Sequence, residues 1–572
     1  MKACIFVIIL SLTLVSAGFA LDVNVADRGA VGDMTTDNTA IFQTALDDVG
    51  ASGGGIVTVP AGHFRINGNL SIPANVTLQG SYTTVPEVNE TWLTKPRGST
   101  LLAYAGRGNR DGEPFIRLKG NTATIAGFVI FYPEWNRADI PPIPYPPCIA
   151  SSDTNNVTIQ NCNIINAYEA ISLVRAHRHM VRNVYGYPIW RGIYVDECYD
   201  IGRIENIHFW PFGANYRPDD PYSKWINLNG TAFEFARTDW QYVTNTFCFG
   251  YGVGYKFSES ANGSCNGSFL SIGADSCRRA VLVEQASNIG LLITNGEFVG
   301  RWESTDSACV EISPKALAKV SFNNCSFWGP NDKCIWMRAP GAQLTAIGCN
   351  FVNWDVGMKD SPAIAVDAGN AIIQGNTFGQ GGTHVLVGKD ASSVIVIGNQ
   401  AASGLVVENK AGARTILSAN QPPPVVLSAS EKACYTISIG SKNDEQFLKH
   451  WQGAETASEW KTNGTKRWSS SSSQFILPVL PKRKYQVTLD VYVPTHALQP
   501  GAGLYLGNKQ ILKFTKAGEM KLTGVIPASA ADEITLDVRC KNWMPKDVMA
   551  KNEDTRVLGV AVRAITLKAL GK

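Results

Sequence analysis

Asp196 and Glu234 are the two acidic side chains whose sequence surroundings best fit a reaction centre. Each lies in a short run of alternating apolar residues, GIYVD and AFEFA, which predicts two β-strands of the same kind. If these strands stack, the two acids lie roughly 8 Å apart along the backbone, from a ~4.8 Å strand spacing and a ~6.7 Å step between alternate residues. One protonated and one ionised carboxyl group at such a distance can hydrolyse a glycosidic bond, with inversion favoured.

Further candidate residues lie close to this pair in the predicted strands and loops. Glu197, Lys256 and Glu284 are the other candidate catalytic groups, and we expect Lys256, beside Glu234, to keep one of the two carboxyl groups ionised. Aromatic rings pack on the apolar faces of sugars, and cationic or imidazole side chains bind their polar groups. The candidate substrate-binding residues are Tyr187, Trp190, Arg191, Tyr194, His177, Trp210, Trp225, Arg237, Asp239, Trp336 and Arg338.

The elements that position these residues come from an internal repeat. Short segments such as IQNCNI, VRNVYG and IENIHF recur at intervals of roughly 21 to 29 residues, which is typical of a β-solenoid. Their third residue is predicted to take a left-handed bend, where asparagine amides can bond from coil to coil. These residues are Asn161, Asn183, Asn206, Asn245, Asn295, Asn324, Gly348, Gly375 and Gly398. The largest insertions between repeats, 132–147 and 211–230, are expected to wall a binding face.

Residues 22–80 resemble the start of the pectate-lyase-like, rhamnogalacturonase-type superfamily of right-handed parallel β-helices, which is related to glycoside hydrolase family 28. The resemblance rests on DVNVADRGAVGDMTTDNTAIFQTALDDVGASGGGIVTVPAGHFRI and NVTLQG. It implies an all-β coil of about 10–12 turns, with a capping helix over 39–49. The paired aspartates, Gly-His pair and Arg-Ile-Lys segment of polygalacturonases are not found, so no catalytic residue is carried over.

The ends of the chain differ in composition from the repeats. Residues 1–20 have a charged start, an apolar stretch and small residues at the end, which predicts a signal peptide, although a membrane anchor is the alternative. Residues 21–420 form the predicted coil and 421–428 a proline-rich linker. The segment 429–572 is predicted to form an antiparallel β-sandwich of seven or eight strands. It either binds carbohydrate, through Trp451, Trp460 and Trp468, or caps the last coil.

Composition limits the partners and the compartment. The chain has 572 residues, 17% of them charged, and a net charge of +3, with no basic block for nucleic acid or a membrane surface. We expect a secreted or periplasmic protein with no membrane span after signal removal. Most cysteines are predicted to be core thiols, as at Cys162, Cys325 and Cys349, and the best disulfide candidate is Cys265–Cys277.

Three functions are compatible with these features. The favoured one is a glycoside hydrolase acting on a polysaccharide or oligosaccharide through Asp196 and Glu234. The first alternative is a lyase or epimerase acting on uronic-acid polymers, using Lys256, Arg237, Arg338 and Tyr194. The second is a non-catalytic glycan-binding protein. No cofactor or metal is expected, because His177 and its neighbour in RAHRHM lack a third ligand.

Overall fold

The computed structural model describes residues 21–571, except 84, 87–97, 213–216, 218, 302–306, 402–403, 421–426, 442–443, 457–464, 550–551 and 553. The predicted signal peptide and most of the predicted linker therefore lie outside the described residues. Among the residues described, no helix is both long and apolar enough to cross a membrane. The chain forms two compact units, divided between Cys248 and Phe249.

The first unit is a coil of parallel strands with three faces. Face one contains Leu70–Ile72, Ile116–Leu118, Ile149–Asn155, Glu169–His177, Arg191–Asp196 and Thr231–Phe235. Face two contains Leu21–Asn24, Gly55–Thr58, Val76–Gln79, Thr124–Phe131, Thr158–Ile165, Met180–Gly186, Arg203–Phe209 and Gln241–Phe249. Face three contains Asp33–Asp37, Gly62–Ile66 and Ser99–Ala103, and it continues in the second halves of the longer face-two strands.

The bend between faces two and three is made by the repeated asparagines. Asn161, Asn183 and Asn206 have φ of 55°, 53° and 52°, the left-handed conformation that asparagine tolerates better than most residues. The amide of Asn183 donates to Asn161 Oδ1 over 2.9 Å, and the amide of Asn206 donates to Asn183 Oδ1 over 2.8 Å. The predicted asparagine ladder is confirmed, and it keeps successive coils in register.

The predicted capping helix is present and covers the first coils. The helix Thr39–Ala51 extends two residues beyond the predicted end, and it buries Phe42 and Leu46 against the parallel strands. Asp37, rather than Asn38, accepts the hydrogen bond of the Thr39 amide, over 3.0 Å. The short helices Val25–Arg28 and Pro221–Asn229 complete this unit.

The second unit begins with parallel strands on the same three kinds of face. Its face-one strands are Val253–Phe257, Arg279–Val283, Ala308–Ile312, Lys333–Met337 and Val407–Asn409. Its face-two strands are Gly267–Cys277, Leu291–Thr294, Lys319–Asn323, Gln343–Ile347 and Thr415–Ser418, and Ile364–Gln374 and Val385–Ile397 span both faces. Its face-three strands are Glu297–Gly300, Ser326–Trp328, Asn350–Phe351, Thr377–Phe378 and Gln400–Ala401. This part of the second unit also contains a hairpin, Glu259–Ser260 with Gly263–Ser264, and the short helix Gly412–Arg414.

The C-terminal part of the second unit contains two antiparallel sheets. One contains Cys434–Ser438, Glu455–Thr456, Thr465–Trp468, Tyr485–Val493, Gly518–Ile526 and Ala561–Ala569. The other contains Leu448–Lys449, Gln474–Pro478, Gly503–Leu506, Lys509–Lys513 and Glu533–Arg539. The short helices are Ala429–Ala433, Glu445–Phe447, Thr495–Ala497 and Pro545–Val548. An all-β fold with a parallel β-helix followed by antiparallel sheets, as predicted, is confirmed.

The predicted sugar platform of this module is wrong for the tryptophans that the structure describes. Trp468 is 3% exposed and packs in the core between the two sheets. Trp451 is partly buried against the same core and donates its indole N–H to Gln474 O. Neither ring therefore offers an open face to a sugar, and Trp460 lies outside the described residues.

The cysteines also follow the core prediction, with one correction. Cys162, Cys325 and Cys349 are buried, as expected for stacked thiols, and hydrogen bonding to Cys325 together with burial raises the pKa of Cys349. The predicted disulfide is wrong, because Cys265 and Cys277 are both buried thiols that are not joined by an S–S bond. Their thiols point to nearby backbone carbonyls instead of to one another.

Candidate active site

The predicted alignment of residues on face one of the first unit is confirmed by the strand register. Tyr194 pairs with Ser172 on one side and with Glu234 on the other, and Asp196 pairs with Val174. Apolar residues between them, such as Ile193, point into the core. The alternation therefore places Tyr194, Glu234 and Asp196 in one neighbourhood on the outer side.

An ion-paired row runs across the start of these strands. Arg191 lies between Glu169 and Glu234, with N···O distances of 2.8 Å and 3.2 Å, and all three side chains are at most 15% exposed. Its guanidinium also lies 4.0 Å from the centre of the Tyr194 ring. Burial raises the pKa of Glu169, although Arg191 opposes this shift. Glu234 is therefore charge-paired with an arginine and is not placed as an isolated protonated acid.

Asp196 is buried and held by two donors. The Tyr194 hydroxyl donates to Asp196 Oδ2 over 3.2 Å, and the Arg237 backbone N–H donates to Asp196 Oδ1 over 3.0 Å. Burial and the nearby Asp196 carboxylate raise the pKa of Tyr194, so its phenol is protonated at neutral pH. The Tyr194 hydroxyl and the Asp196 carboxylate therefore form a fixed hydrogen-bond relay, and the hydroxyl is its outer end.

Two arginines flank this row, and neither pairs with a carboxylate within the described part of the chain. Arg110 lies over the Trp190 ring, 3.6 Å from its centre, at the start of the strand Arg191–Asp196. Arg237 lies over the Tyr199 ring, 4.9 Å from its centre, beyond the other end of that strand. Stacking on an aromatic ring orders a guanidinium and leaves its N–H edge available to an anion.

The two largest insertions of the coil contact each other beside this row. The Trp135 indole donates to the Tyr222 hydroxyl over 2.9 Å, and Arg137 forms an ion pair with Asp220. Asp220 also caps the helix Pro221–Asn229 by accepting from the Tyr222 amide. These contacts join the two insertions, and it stays a prediction that they wall a binding face.

Aromatic rings continue from the second insertion towards this row. Trp225, on the helix of the second insertion, lies 6.5 Å from the Tyr168 ring, which stacks on Trp190 with 5.6 Å between centroids. Trp190 in turn lies 4.5 Å from the Arg191 guanidinium. The arrangement offers both ring surfaces and cations, which is the combination that an acidic sugar polymer requires.

Two other predicted residues of the first unit, Glu197 and His177, lie at or just beyond the ends of the face-one strands. Glu197 is 3.6 Å from Arg175. His177 stacks on Tyr199 at 5.2 Å, and its Nδ1 accepts the Tyr199 amide over 3.1 Å. The histidine thus belongs to the same aromatic support as Arg237.

Three predicted binding residues are not placed in this row. Tyr187 is 1% exposed, so its ring cannot meet a sugar. Trp210 follows a face-two strand and packs edge-on against His208 at 6.3 Å. The backbone N–H of Asp239 donates to Cys198 O over 3.0 Å in a coil corner. The assignment of Tyr187 is therefore wrong, whereas those of Trp210 and Asp239 stay predictions.

Within the second unit, the predicted residues form ion pairs and ring contacts with residues of that unit. Lys256 pairs with Glu284 at 3.3 Å. Arg338 pairs with Glu311 at 2.9 Å and lies 4.3 Å from the Trp336 ring centre, and Trp336 donates to an aspartate, Asp367, over 2.7 Å. Both groups are on the face-one strands of that unit.

Sequence reasoning missed Glu169 and Arg110. Glu169 had a usable signal, because it precedes Ile171 by two positions, as Arg191 precedes Ile193, and the structure pairs these residues across the strands. Arg110 had none, since it lies in a loop outside the repeat pattern and reaches the row only through the fold.

Comparison with known proteins agrees with the fold. Residues 22–113 match the family model described as rhamnogalacturonase A/epimerase, pectate lyase-like. The match covers the N-terminal part of the chain, and together with the parallel coils it agrees with the predicted resemblance to the pectate-lyase-like parallel β-helix superfamily.

Individual relatives are polysaccharide-modifying enzymes. Mannuronan C5-epimerase AlgE1 of Azotobacter vinelandii is 34% identical over 118 residues, which is 19% of this chain and 8% of that protein. Alginate lyase 7 of the same organism is 31% identical over 118 residues, 19% of this chain and 14% of that protein. The chain thus spans only about a tenth of the length of the curated relatives it matches. A tailspike mutant of E. coli bacteriophage HK620 bound to a pentasaccharide covers 96% of this chain and 94% of its own, with 11% identity and a TM-score of 0.46.

The prediction of a glycoside hydrolase is corrected by these relatives, which are named epimerases and a lyase. The geometry gives a physical reason for the error. The hydrolase interpretation needed one protonated and one ionised carboxyl group facing a sugar, whereas Glu234 is ion-paired and Asp196 is buried under two hydrogen bonds.

Proposed function

We propose that the protein modifies a uronic-acid polysaccharide by removing the proton at C5 of a uronate residue. Return of a proton to the opposite side of C5 inverts that centre, and loss of the C4–O4 bond instead cleaves the chain by elimination. The first step is common to epimerases and lyases, and both activities are named among the relatives. A mannuronan-like or alginate-like polymer is the substrate class we infer, encountered outside the cytoplasm.

This proposal depends mainly on Arg110 and Arg237, which stack on aromatic rings. Among the described residues, neither arginine forms an ion pair with a carboxylate. A uronate carboxylate makes the C5–H acidic only when its charge is neutralised, because negative charge develops on the same group as the proton leaves. A guanidinium bound to that carboxylate stabilises the developing charge. A neutral polysaccharide offers neither guanidinium a carboxylate.

The remaining steps are assigned to residues on neighbouring strands. Glu234, ion-paired with Arg191, is the group we assign to accept the C5 proton. The protonated Tyr194 hydroxyl, next to it in register, is assigned to donate a proton to C5 or to the leaving O4. Asp196 orients that hydroxyl. Glu169 holds Arg191 in place from the buried side.

Replacing Arg110 by alanine should lower kcat/KM on a uronate polymer by about 10- to 100-fold, because a charge-assisted hydrogen bond contributes ~1.5–3 kcal/mol. The assay would compare mannuronan, polygalacturonate and a neutral glucan, with epimerised units followed by NMR and unsaturated ends by ultraviolet absorbance. The matched control is Arg28→Ala, since Arg28 is paired with Asp48 of the capping helix. Activity on the neutral glucan alone, or full activity of Arg110→Ala on uronates, would show that the proposal is wrong.

A further inference from the structure

Three metal-ligating side chains converge in the second unit, and none of them is assigned a role above. Asp355 and Asp360 belong to the loop that follows the strand Asn350–Phe351, and His450 directly follows the strand Leu448–Lys449 of the antiparallel module. One ligand atom from each of the three lies within 4.8 Å of the other two. The cluster thus joins the parallel coil of this unit to its antiparallel sheets.

The tautomer of His450 is fixed by a contact outside the cluster. Its Nδ1 lies 3.1 Å from the backbone carbonyl of Ser472. A carbonyl oxygen can only accept, so Nδ1 carries the proton and donates it. A histidine whose second ring nitrogen donates to a carbonyl is the usual arrangement of a metal-bound imidazole. The lone pair of a neutral His450 is therefore on Nε2.

That lone pair faces a carboxylate. His450 Nε2 is 3.0 Å from Asp360 Oδ1, and it is buried and has no hydrogen bond of acceptable geometry. Two acceptor atoms at this distance repel each other unless a cation is shared between them. A proton on Nε2 or a metal ion bound by both atoms are the two solutions.

The surroundings add negative charge. Asp355 accepts the backbone N–H groups of Lys359 and Ser361 on one oxygen, at 2.8 Å and 3.0 Å, which leaves its second oxygen for a ligand. Asp332 is buried nearby. The Lys359 ammonium is engaged with Asp332 at 3.1 Å.

We propose that Asp355, Asp360 and His450 bind a divalent transition-metal ion of the zinc class. One imidazole nitrogen and two carboxylate oxygens suit Zn²⁺, whose bonds to these ligands are ~2.0–2.2 Å, and water would complete a tetrahedron. Calcium is disfavoured because it takes 6–8 oxygen ligands. The ion would displace the Lys449 ammonium, which lies 3.6 Å from Asp360 Oδ2, and would fasten the loop to the antiparallel module.

The test is a titration of the chelator-treated full-length protein with Zn²⁺ and with Co²⁺. We expect one tight site per chain, and a visible Co²⁺ spectrum typical of a tetrahedral nitrogen and oxygen site. His450→Gln and Asp360→Asn should each weaken Zn²⁺ binding by about 100-fold or more, since even second-shell changes cost 10–100-fold. His496→Gln is the matched control, because His496 packs against Trp543 elsewhere in the same module.

A second control addresses adventitious binding by the exposed Cys434. Retention of the site in Cys434→Ser and its loss in His450→Gln would support the proposal. Loss in Cys434→Ser with retention in His450→Gln would overturn it, as would the absence of stoichiometric binding. A cooperative unfolding transition, measured for each variant without metal, would show that the variant is folded. Enzymatic activity is not part of this measurement.

Discussion

Replacement of Tyr194 by phenylalanine should lower kcat on a uronate polymer by about 10²- to 10⁴-fold, the usual contribution of a positioned proton-transfer group. The variant removes one oxygen and leaves the ring that supports Arg191, so the fold and substrate binding should be largely kept. The large loss should therefore be in kcat, with KM changed little. Steady-state kinetics on mannuronan or polygalacturonate would measure it.

A matched control is available on an adjacent face. Tyr242 is exposed, and its hydroxyl only accepts from the Trp240 indole, so Tyr242→Phe should keep full activity. If Tyr194→Phe and Tyr242→Phe behaved alike, the relay from Tyr194 to Asp196 would have no part in proton transfer. A loss confined to KM would instead mean that the hydroxyl only binds substrate.

Replacement of Arg191 by glutamine should lower the free energy of unfolding by about 3–5 kcal/mol, because it leaves a buried carboxylate without its partner. Glu169 has a side-chain exposure of only 5%. The double variant Glu169→Gln/Arg191→Gln should recover most of that loss, since two amides replace the ion pair. Urea-induced unfolding of the first unit, followed by its tryptophan fluorescence, would compare the two.

The loss of unfolding free energy in Arg191→Gln should depend on pH in a defined direction. The pKa of Glu169 is raised by burial above its ordinary value of 4.5, even with Arg191 present. A group whose pKa is higher in the folded than in the unfolded protein binds more protons in the folded state. The free energy of unfolding therefore falls as the pH rises from about 4.5 upwards. Without Arg191 the pKa rises further, and the fall should steepen and extend to higher pH. A pH-independent deficit in Arg191→Gln would contradict this explanation.

The fold was predictable because its signals are local and repeated. Asn183 needs a left-handed bend and finds its amide partners one coil away, so the repeat of asparagines marks the corners without knowledge of the loops. Strict alternation in GIYVD and AFEFA likewise gave the correct alignment of Tyr194 with Glu234. Period and alternation determine the backbone, and the backbone determines which residues share a face.

The chemistry was harder to predict, because it depends on contacts between side chains of different coils. The sequence predicted Lys256 as the cation beside Glu234, whereas the pairing of Glu234 with Arg191 appears only when the strand register and both rotamers are known. Arg110 reaches Trp190 from a loop whose path no repeat encodes. Trp468 was misread for a simpler reason: an aromatic residue in a strand fills a core at least as often as it binds sugar.

The central claim, removal of the C5 proton of a uronate, is tested most directly by reaction in D₂O. Products from a uronate polymer would be examined by NMR after partial turnover. We predict deuterium at C5 of altered residues, or unsaturated ends if elimination follows. New reducing ends, with neither deuterium at C5 nor unsaturation, would mean that the glycosidic bond is hydrolysed and that C5 is never deprotonated.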